Sequence, residues 1–275
     1  MAEKVEYVIE PSGRRLLNWA EIWRFKELFY FFTWRDIKVK YKQTVLGFLW
    51  AILQPLLMMT IFTLFFGRAL KIPSQNIPYP VFVYSGLLIW NIFSSGLINA
   101  SNSMINNAPI IKKIYFPRIV IPVSAVIGAL FDFLMAFILF FVLIFFYGQS
   151  VSLNAIWCWP AAVLIAFIAT LGPGSWLAAL NVKYRDFRYI VPFLVQALLF
   201  LTPVIYPVTM LQYPILQYVM ALSPIYAAIE LFRMPLSAAP LEPTLLLISL
   251  SSGVIFLFVG LIYFRKTEDF FADLA

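Results

Sequence analysis

Residues Leu46–Phe66 read LGFLWAILQPLLMMTIFTLFF, with no charged side chain. A helix needs roughly 20 mostly apolar residues to cross the hydrocarbon core of a bilayer. This run therefore reads as a transmembrane helix, and similar runs flank it. Tyr79–Ala100 is a second and Ile119–Tyr147 a third, interrupted by Asp132. Ile156–Asn181 is a fourth, carrying Gly172-Pro173-Gly174; Ile190–Tyr206 is a short fifth and Pro243–Phe264 a sixth. Between the last two, Val208–Ile229 is apolar but cut by Pro214 and Pro224. Proline removes a helical donor and clashes with the preceding turn. We read this segment as a re-entrant pair of half-helices on the outer side, the alternative being a seventh span. The expected fold is an all-α membrane protein of six transmembrane helices with both termini on one side.

Composition agrees. The 275 residues are 63% hydrophobic and 12% charged, with mean hydropathy +0.88, which excludes an ordinary soluble enzyme and a disordered chain. There is no His and a single Cys, Cys158, so His-based catalysis, His-ligated metals and an internal disulfide are excluded. No GxxxxGK[ST] occurs, so the chain has no P-loop of its own. The net charge of +7 in so apolar a chain reads as topology and lipid headgroups rather than nucleic acid. In the six-span arrangement 17 Lys and Arg fall on one side and 3 on the other, which places both termini in the cytoplasm. Seven spans would give 15 and 5, so charge alone does not decide between the two. Three segments follow: a cytoplasmic N-terminal part (1–45), a membrane domain (46–264) and a cytoplasmic tail (265–275). The first part lacks an apolar run followed by a small-residue cleavage site, so no signal peptide is expected.

Arg14–Trp34 is too polar to span. Glu21, Arg24 and Glu27 share a helix face, and Trp19, Trp23, Tyr30 and Trp34 suit a headgroup-level amphipathic helix. It is an anchor, or also a carrier of motion from a cytoplasmic partner. Lys38, Lys40 and Lys42 stand before the first span as a topology signal, or as a collar for an anionic headgroup or pyrophosphate. Asn106–Arg118 (NNAPIIKKIYFPR), with Pro109 and Pro117 bracketing about two helical turns, and Asn181–Arg188 (NVKYRDFR) are short, basic and aromatic inner connections. They are docking elements or ordinary solvated turns. Asp132 is costly inside an apolar run. It reads as a structural pair or interfacial group before a proton- or substrate-linked one, because no intramembrane Lys or Arg is obvious as a relay partner. Glu230 and Arg233, three apart, can pair across one helical turn and fix the outer hairpin. Trp157 and Trp159 flank Cys158 as an aromatic belt would, and the thiol reads as inert packing.

The order of these motifs resembles the transmembrane subunits of type-2 ABC exporters for polysaccharides, such as O-antigen and teichoic-acid translocation permeases. The resemblance is carried by Arg35-Asp36-Ile37-Lys38-Val39-Lys40-Tyr41-Lys42 with Leu46-Gly47, Trp50 and Gln54-Pro55, and by Pro78-Tyr79-Pro80. It continues in Lys112-Lys113-Ile114-Tyr115-Phe116-Pro117-Arg118, Asn181–Arg188, Thr202-Pro203-Val204-Ile205-Tyr206-Pro207, and Glu230 with Arg233. It covers about Trp34 to Phe270; Ser223-Pro224 stands where the family pattern has Asn-Pro. The resemblance implies a non-enzymatic subunit of the bacterial plasma membrane, two copies of which form a pathway. Each copy would recruit a cytoplasmic ABC ATPase that holds the ATP and Mg2+; the chain itself would bind no cofactor. Lys112, Lys113, Tyr115, Tyr184, Arg185, Asp186 and Arg188 would couple to that ATPase. The first and fifth spans would line the channel, and a lipid-linked glycan would move outward. Sugar rings stack on aromatic faces, which makes Trp50, Phe62, Phe193, Phe200 and Tyr206 candidate lining residues. A stand-alone lipid-carrier flippase or secondary transporter would need paired midplane charges, and only Asp132 is available. An integral-membrane transferase would have to rely on Glu230, Glu242 or Asp186.

Overall fold

The computed structural model describes residues 19–42, 46–237, 241–268 and 271, with the backbone alone for residues 19 and 20. Lys4, Arg14, Arg15, the Trp19 side chain and most of the tail beyond Glu268 lie outside the described residues. The described elements are all helical. In chain order they are α1 (Trp19–Arg24), α2 (Lys26–Lys42), α3 (Leu49–Phe62) continued as a π-helical segment (Thr63–Ala69), and α4 (Tyr79–Asn106). There follow α5 (Ala108–Ile111), α6 (Val120–Tyr147), α7 (Ala155–Lys183) and α8 (Phe187–Leu201). Last come α9 (Pro214–Ala221), α10 (Tyr226–Arg233) and α11 (Pro243–Thr267). Proline in the first turn starts α4, α5, α9 and α11, where its missing N–H costs nothing. Gly148, at φ 60°, ends α6 in the left-handed conformation that glycine adopts without strain.

Among the described residues, five helices are long and apolar enough to cross a membrane: α3 with its π continuation, α4, α6, α7 and α11. The fifth predicted span is shorter than expected, because α8 has 15 residues and stops at Leu201. α8 nevertheless runs between the two ends of the bundle. Met104, Val120, Val182 and Phe264 meet in one cluster, so one end of α4, α6, α7 and α11 lies together. At the opposite end the Ser152 N–H donates to the Pro235 carbonyl (2.9 Å), and the Tyr79 hydroxyl donates to the Ile205 carbonyl (2.9 Å). The chain leaves α7 at the first end and enters α11 from the second, so α8 carries it across.

The α9–α10 pair is bent by 101°. Its bend is pinned to α11: the Ser249 hydroxyl donates to the Ser223 carbonyl (2.8 Å) and Ser252 to the Leu222 carbonyl (2.7 Å). At 1.5 Å per residue these serines lie about 9–14 Å along α11 from its start. Pro224 lies at this break, where its place in the apolar segment suggested an interruption.

α4 is the most enclosed of the long helices. α6 and α7 pack on one side of it, and α3, α8 and α10 also touch it. The α7–α11 seam is closest at glycines: a Cβ on Gly172 would lie 2.5 Å from the Leu257 nitrogen, and one on Gly260 would overlap the Gly172 carbonyl. Small residues let membrane helices approach this closely. α2 climbs beside α6 rather than standing apart from the spans. Thr33 Oγ1 donates to the Ser124 carbonyl (3.4 Å), and farther along Tyr41 rests against the Phe131 ring (6.2 Å between centroids). Phe32 is buried on this side, while Trp23, Tyr30 and Trp34 remain exposed.

Candidate functional site

Arg233 is 1% exposed, and its guanidinium ties the end of α10 to the core. It donates to the carbonyls of Pro203 (2.8 Å), Val204 (2.5 Å) and Phe82 (3.2 Å) and to Ser85 Oγ (3.4 Å). It also stacks on the Phe82 ring at 3.8 Å and sits 3.5 Å from Glu230 Oε1. The expected Glu230–Arg233 pair is present, but backbone carbonyls take most of the donors. Gly86 makes room for it; a Cβ there would collide with the guanidinium and lie 2.8 Å from the Val204 oxygen. Trp159 does not sit in a belt with Trp157. Its indole N–H donates to the Phe232 carbonyl (3.1 Å), and its ring joins Phe137, Phe140 and Phe232, whereas Trp157 is 80% exposed. Cys158 is half-buried, with its sulfur 3.7 Å from that of Met234.

Asp132 has the partner that the spans alone did not offer. Lys40 forms an ion pair with one carboxylate oxygen, and the Tyr41 hydroxyl donates to the other. Both come from the end of α2, 91 and 92 residues away in sequence. The carboxylate in the third span is therefore the anchor of α2, which is the structural reading. Replacing Asp132 with Leu should free this end of α2. We expect several-fold faster amide exchange across residues 36–42 with α6 still protected, and partial recovery when Lys40→Leu is added. Exchange unchanged from wild type would show that the anchor does not hold α2.

The three lysines do not face one way. Lys38 and Lys42 line a groove of about 400 Å³ along α2 with Phe31, Trp34, Arg35 and Val39, while Lys40 is turned to Asp132. Lys38 lies over the Trp34 ring (5.3 Å), and Arg35 is paired with Asp36 (2.6 Å).

The two short connections share one end of the molecule. Ile111 and Phe116 of the first, Val182 beside the second and Phe264 of α11 belong to one buried cluster. From this base Lys112, Lys113 and Tyr115 project on one side and Tyr184, Arg185, Asp186 and Arg188 on the other, all exposed. The first connection has one helical turn, α5, instead of two. It is clamped from both termini: Tyr115 donates to Glu21 Oε1 (3.3 Å), and the Arg118 N–H donates to Glu268 Oε1 (3.1 Å). Desolvation, with Glu21 adding to it, holds the Tyr115 hydroxyl above the usual phenol range, so it remains a donor. Among the described residues, no three His, Cys, Asp or Glu side chains gather to hold a metal ion.

The aromatic lining candidates divide. Phe193 is 70% exposed, and Trp50 and Phe200 are also open. α8 buries only Val191, Val195 and Leu199, a narrow stripe, and leaves its other faces bare. Phe62 is 5% exposed, packed edge-on against Phe66 in the core, and so is not on an open face. Tyr206 is half-buried, with its hydroxyl donating to the Phe200 carbonyl (2.8 Å).

The pattern of the family described as ABC-2 type transporter matches residues 27–236. An O-antigen export system permease protein RfbA of Klebsiella pneumoniae is 32% identical over 240 residues, covering 87% of this chain and 92% of that protein. A protein of the same name from Myxococcus xanthus is 34% identical over 193 residues, covering 70% of this chain and 73% of that protein. The polysialic acid transport protein KpsM of Escherichia coli is 24% identical over 246 residues, covering 86% of this chain and 91% of that protein.

Proposed function

From a chain that belongs to the ABC-2 type transporter family, and is the membrane permease of a polysaccharide ABC exporter in the bacterial inner membrane, we propose a specific division of labour. Two copies enclose the pathway, with the bare faces of α3 and α8 turned toward it. The end that carries the short connections is cytoplasmic, and the α9–α10 hairpin is re-entrant from the outer side. The 17-to-3 distribution of basic residues supports this orientation. The substrate is a lipid-linked glycan. Its pyrophosphate meets Lys38 and Lys42 in the α2 groove, where cations stand beside aromatic and apolar surface. A separate cytoplasmic ATPase supplies the ATP and Mg2+ chemistry.

One observation carries the coupling role. Both basic-aromatic connections stand exposed on a single buried cluster that also holds the end of α11. A push on either connection is thereby delivered to α4, α6, α7 and α11 together. The family match weighs against a stand-alone flippase, and the transferase reading loses Glu230, which is buried against Arg233.

The test is reconstitution of the permease with its P-loop ATPase in vesicles, following hydrolysis and glycan export separately. For Arg185→Glu and Asp186→Lys we expect hydrolysis to continue while export falls roughly tenfold or more, as for loss of a charged contact at an interface. Full export by both variants at normal expression would remove these residues from the coupling surface.

A further inference from the structure

The inner part of α4 carries a polar face in the middle of an apolar bundle. Its half-buried or exposed residues there are Asn91, Ser94, Ser95, Asn99, Asn102 and Asn106, with only Ile98 and Ile105 between them. At 100° per residue these positions form one stripe. The opposite side is sealed: Gly96 faces Thr170 of α7 and Ala129 of α6, and Ala100 faces Gly174. Apart from Asn102, which meets Asn181 of α7, the stripe turns away from this sealed side; α3 and α8 also pack on α4. Those two helices add Gln54 and Gln196, both exposed.

Lipid cannot cover such a face. An amide held against hydrocarbon without a partner is costly, and polar residues in spans face protein or water-filled space. Two members of the stripe are held in place by neighbours. Ser95 donates to the Asn91 carbonyl (2.6 Å), and Asn102 donates to the Ile98 carbonyl (2.9 Å) while its Oδ1 accepts from Asn181 (3.1 Å). The amides of Asn91 and Asn99 make no side-chain hydrogen bond among the described residues. Each offers a donor and an acceptor, and α4 carries no charged residue anywhere along its length.

We propose that Asn91 and Asn99 form a hydroxyl track: neutral amides that hydrogen-bond the hydroxyl groups of the glycan as it moves along the inner half of the pathway. The inference rests on the permease reading and adds a site to it. A primary amide matches a sugar hydroxyl, because each group donates and accepts. Absence of charge means that no single unit is held tightly, so successive units exchange along the stripe. The track addresses the sugar units, and the cationic α2 groove addresses the anionic lipid end.

The test uses the reconstituted permease–ATPase complex. The Asn91→Leu, Asn99→Leu pair should insert normally, since leucine favours a membrane helix. We expect its export rate to fall about tenfold, the effect of losing two hydrogen-bond partners, and Asn99→Gln to retain most of the rate. In a Cys158→Ser background, Asn99→Cys should react with a membrane-impermeant thiol reagent, and actively exported glycan should slow that reaction. Wild-type export by the double Leu variant would overturn the proposal. So would efficient disulfide formation between Asn99→Cys residues of two copies with no aqueous labelling, which would make the stripe a contact between copies. Absence of ATP-dependent glycan export by the wild-type complex would overturn the permease reading itself, and the track with it.

Discussion

Arg233→Met is expected to deplete the folded permease from the membrane fraction. The substitution removes a guanidinium that serves three carbonyls, one hydroxyl and the Glu230 carboxylate at a fully buried site. Water cannot reach the groups left behind. Breaking a buried pair from one side costs about 3–5 kcal/mol, against a total stability of about 5–15 kcal/mol for a typical domain. Arg233→Lys should fail almost as badly, because an ammonium lacks the planar fork that reaches Pro203, Val204 and Phe82 together. Adding Glu230→Gln to Arg233→Met should recover part of the loss by removing the uncompensated carboxylate. Thermal unfolding of the purified protein, with membrane yield, measures all three. Wild-type melting of Arg233→Met would show that the carbonyls find other donors and that the knot is dispensable.

Gly260→Leu is the second large effect. A side chain at 260 overlaps the Gly172 carbonyl, and one at 172 meets the Leu257 nitrogen at 2.5 Å and its Cα at 2.6 Å. These are backbone atoms, which cannot rotate aside. The α7–α11 seam must open along its length, and overpacking of this kind costs about 1–3 kcal/mol or more. Even Gly260→Ala should lower the melting temperature measurably. Gly128→Ala supplies the contrast: nothing lies within 4 Å of a Cβ there, and alanine is the better helix former. It should be neutral or stabilising. Equal melting of the 128 and 260 variants would mean that the seam is looser than its geometry.

The long spans were legible because hydropathy sums over a window, and α3, α4, α6, α7 and α11 all exceed it. The interruption of the apolar segment after α8 was legible from Pro214, which starts α9, and Pro224, which lies at the break before α10. Other features were hidden for identifiable reasons. Backbone carbonyls carry no sequence signal, so Arg233 showed only its Glu230 neighbour. Lys40 and Asp132 are 92 residues apart, and one sequence cannot reveal that proximity. Phe62 was assigned to the pathway by residue type, whereas its position on α3 faces the core. The α4 stripe was in plain view at helical spacing. It was missed because a mean hydropathy averages the faces of a helix and hides the one that differs.

The Arg233 knot also imposes an order in time. Its carbonyl partner on α4, Phe82, precedes it by 151 residues, and its Ser85 partner by 148. Chains grow from the N-terminus at about 5–20 residues per second, so α4 waits roughly 8–30 s for the group that fits beside Gly86. Until then the second span stands in the bilayer with an unfilled notch. A late-arriving guanidinium thus locks a surface of α4 laid down early. A ribosome that stalls before Arg233 leaves behind a chain already inserted, with the notch beside Gly86 still open.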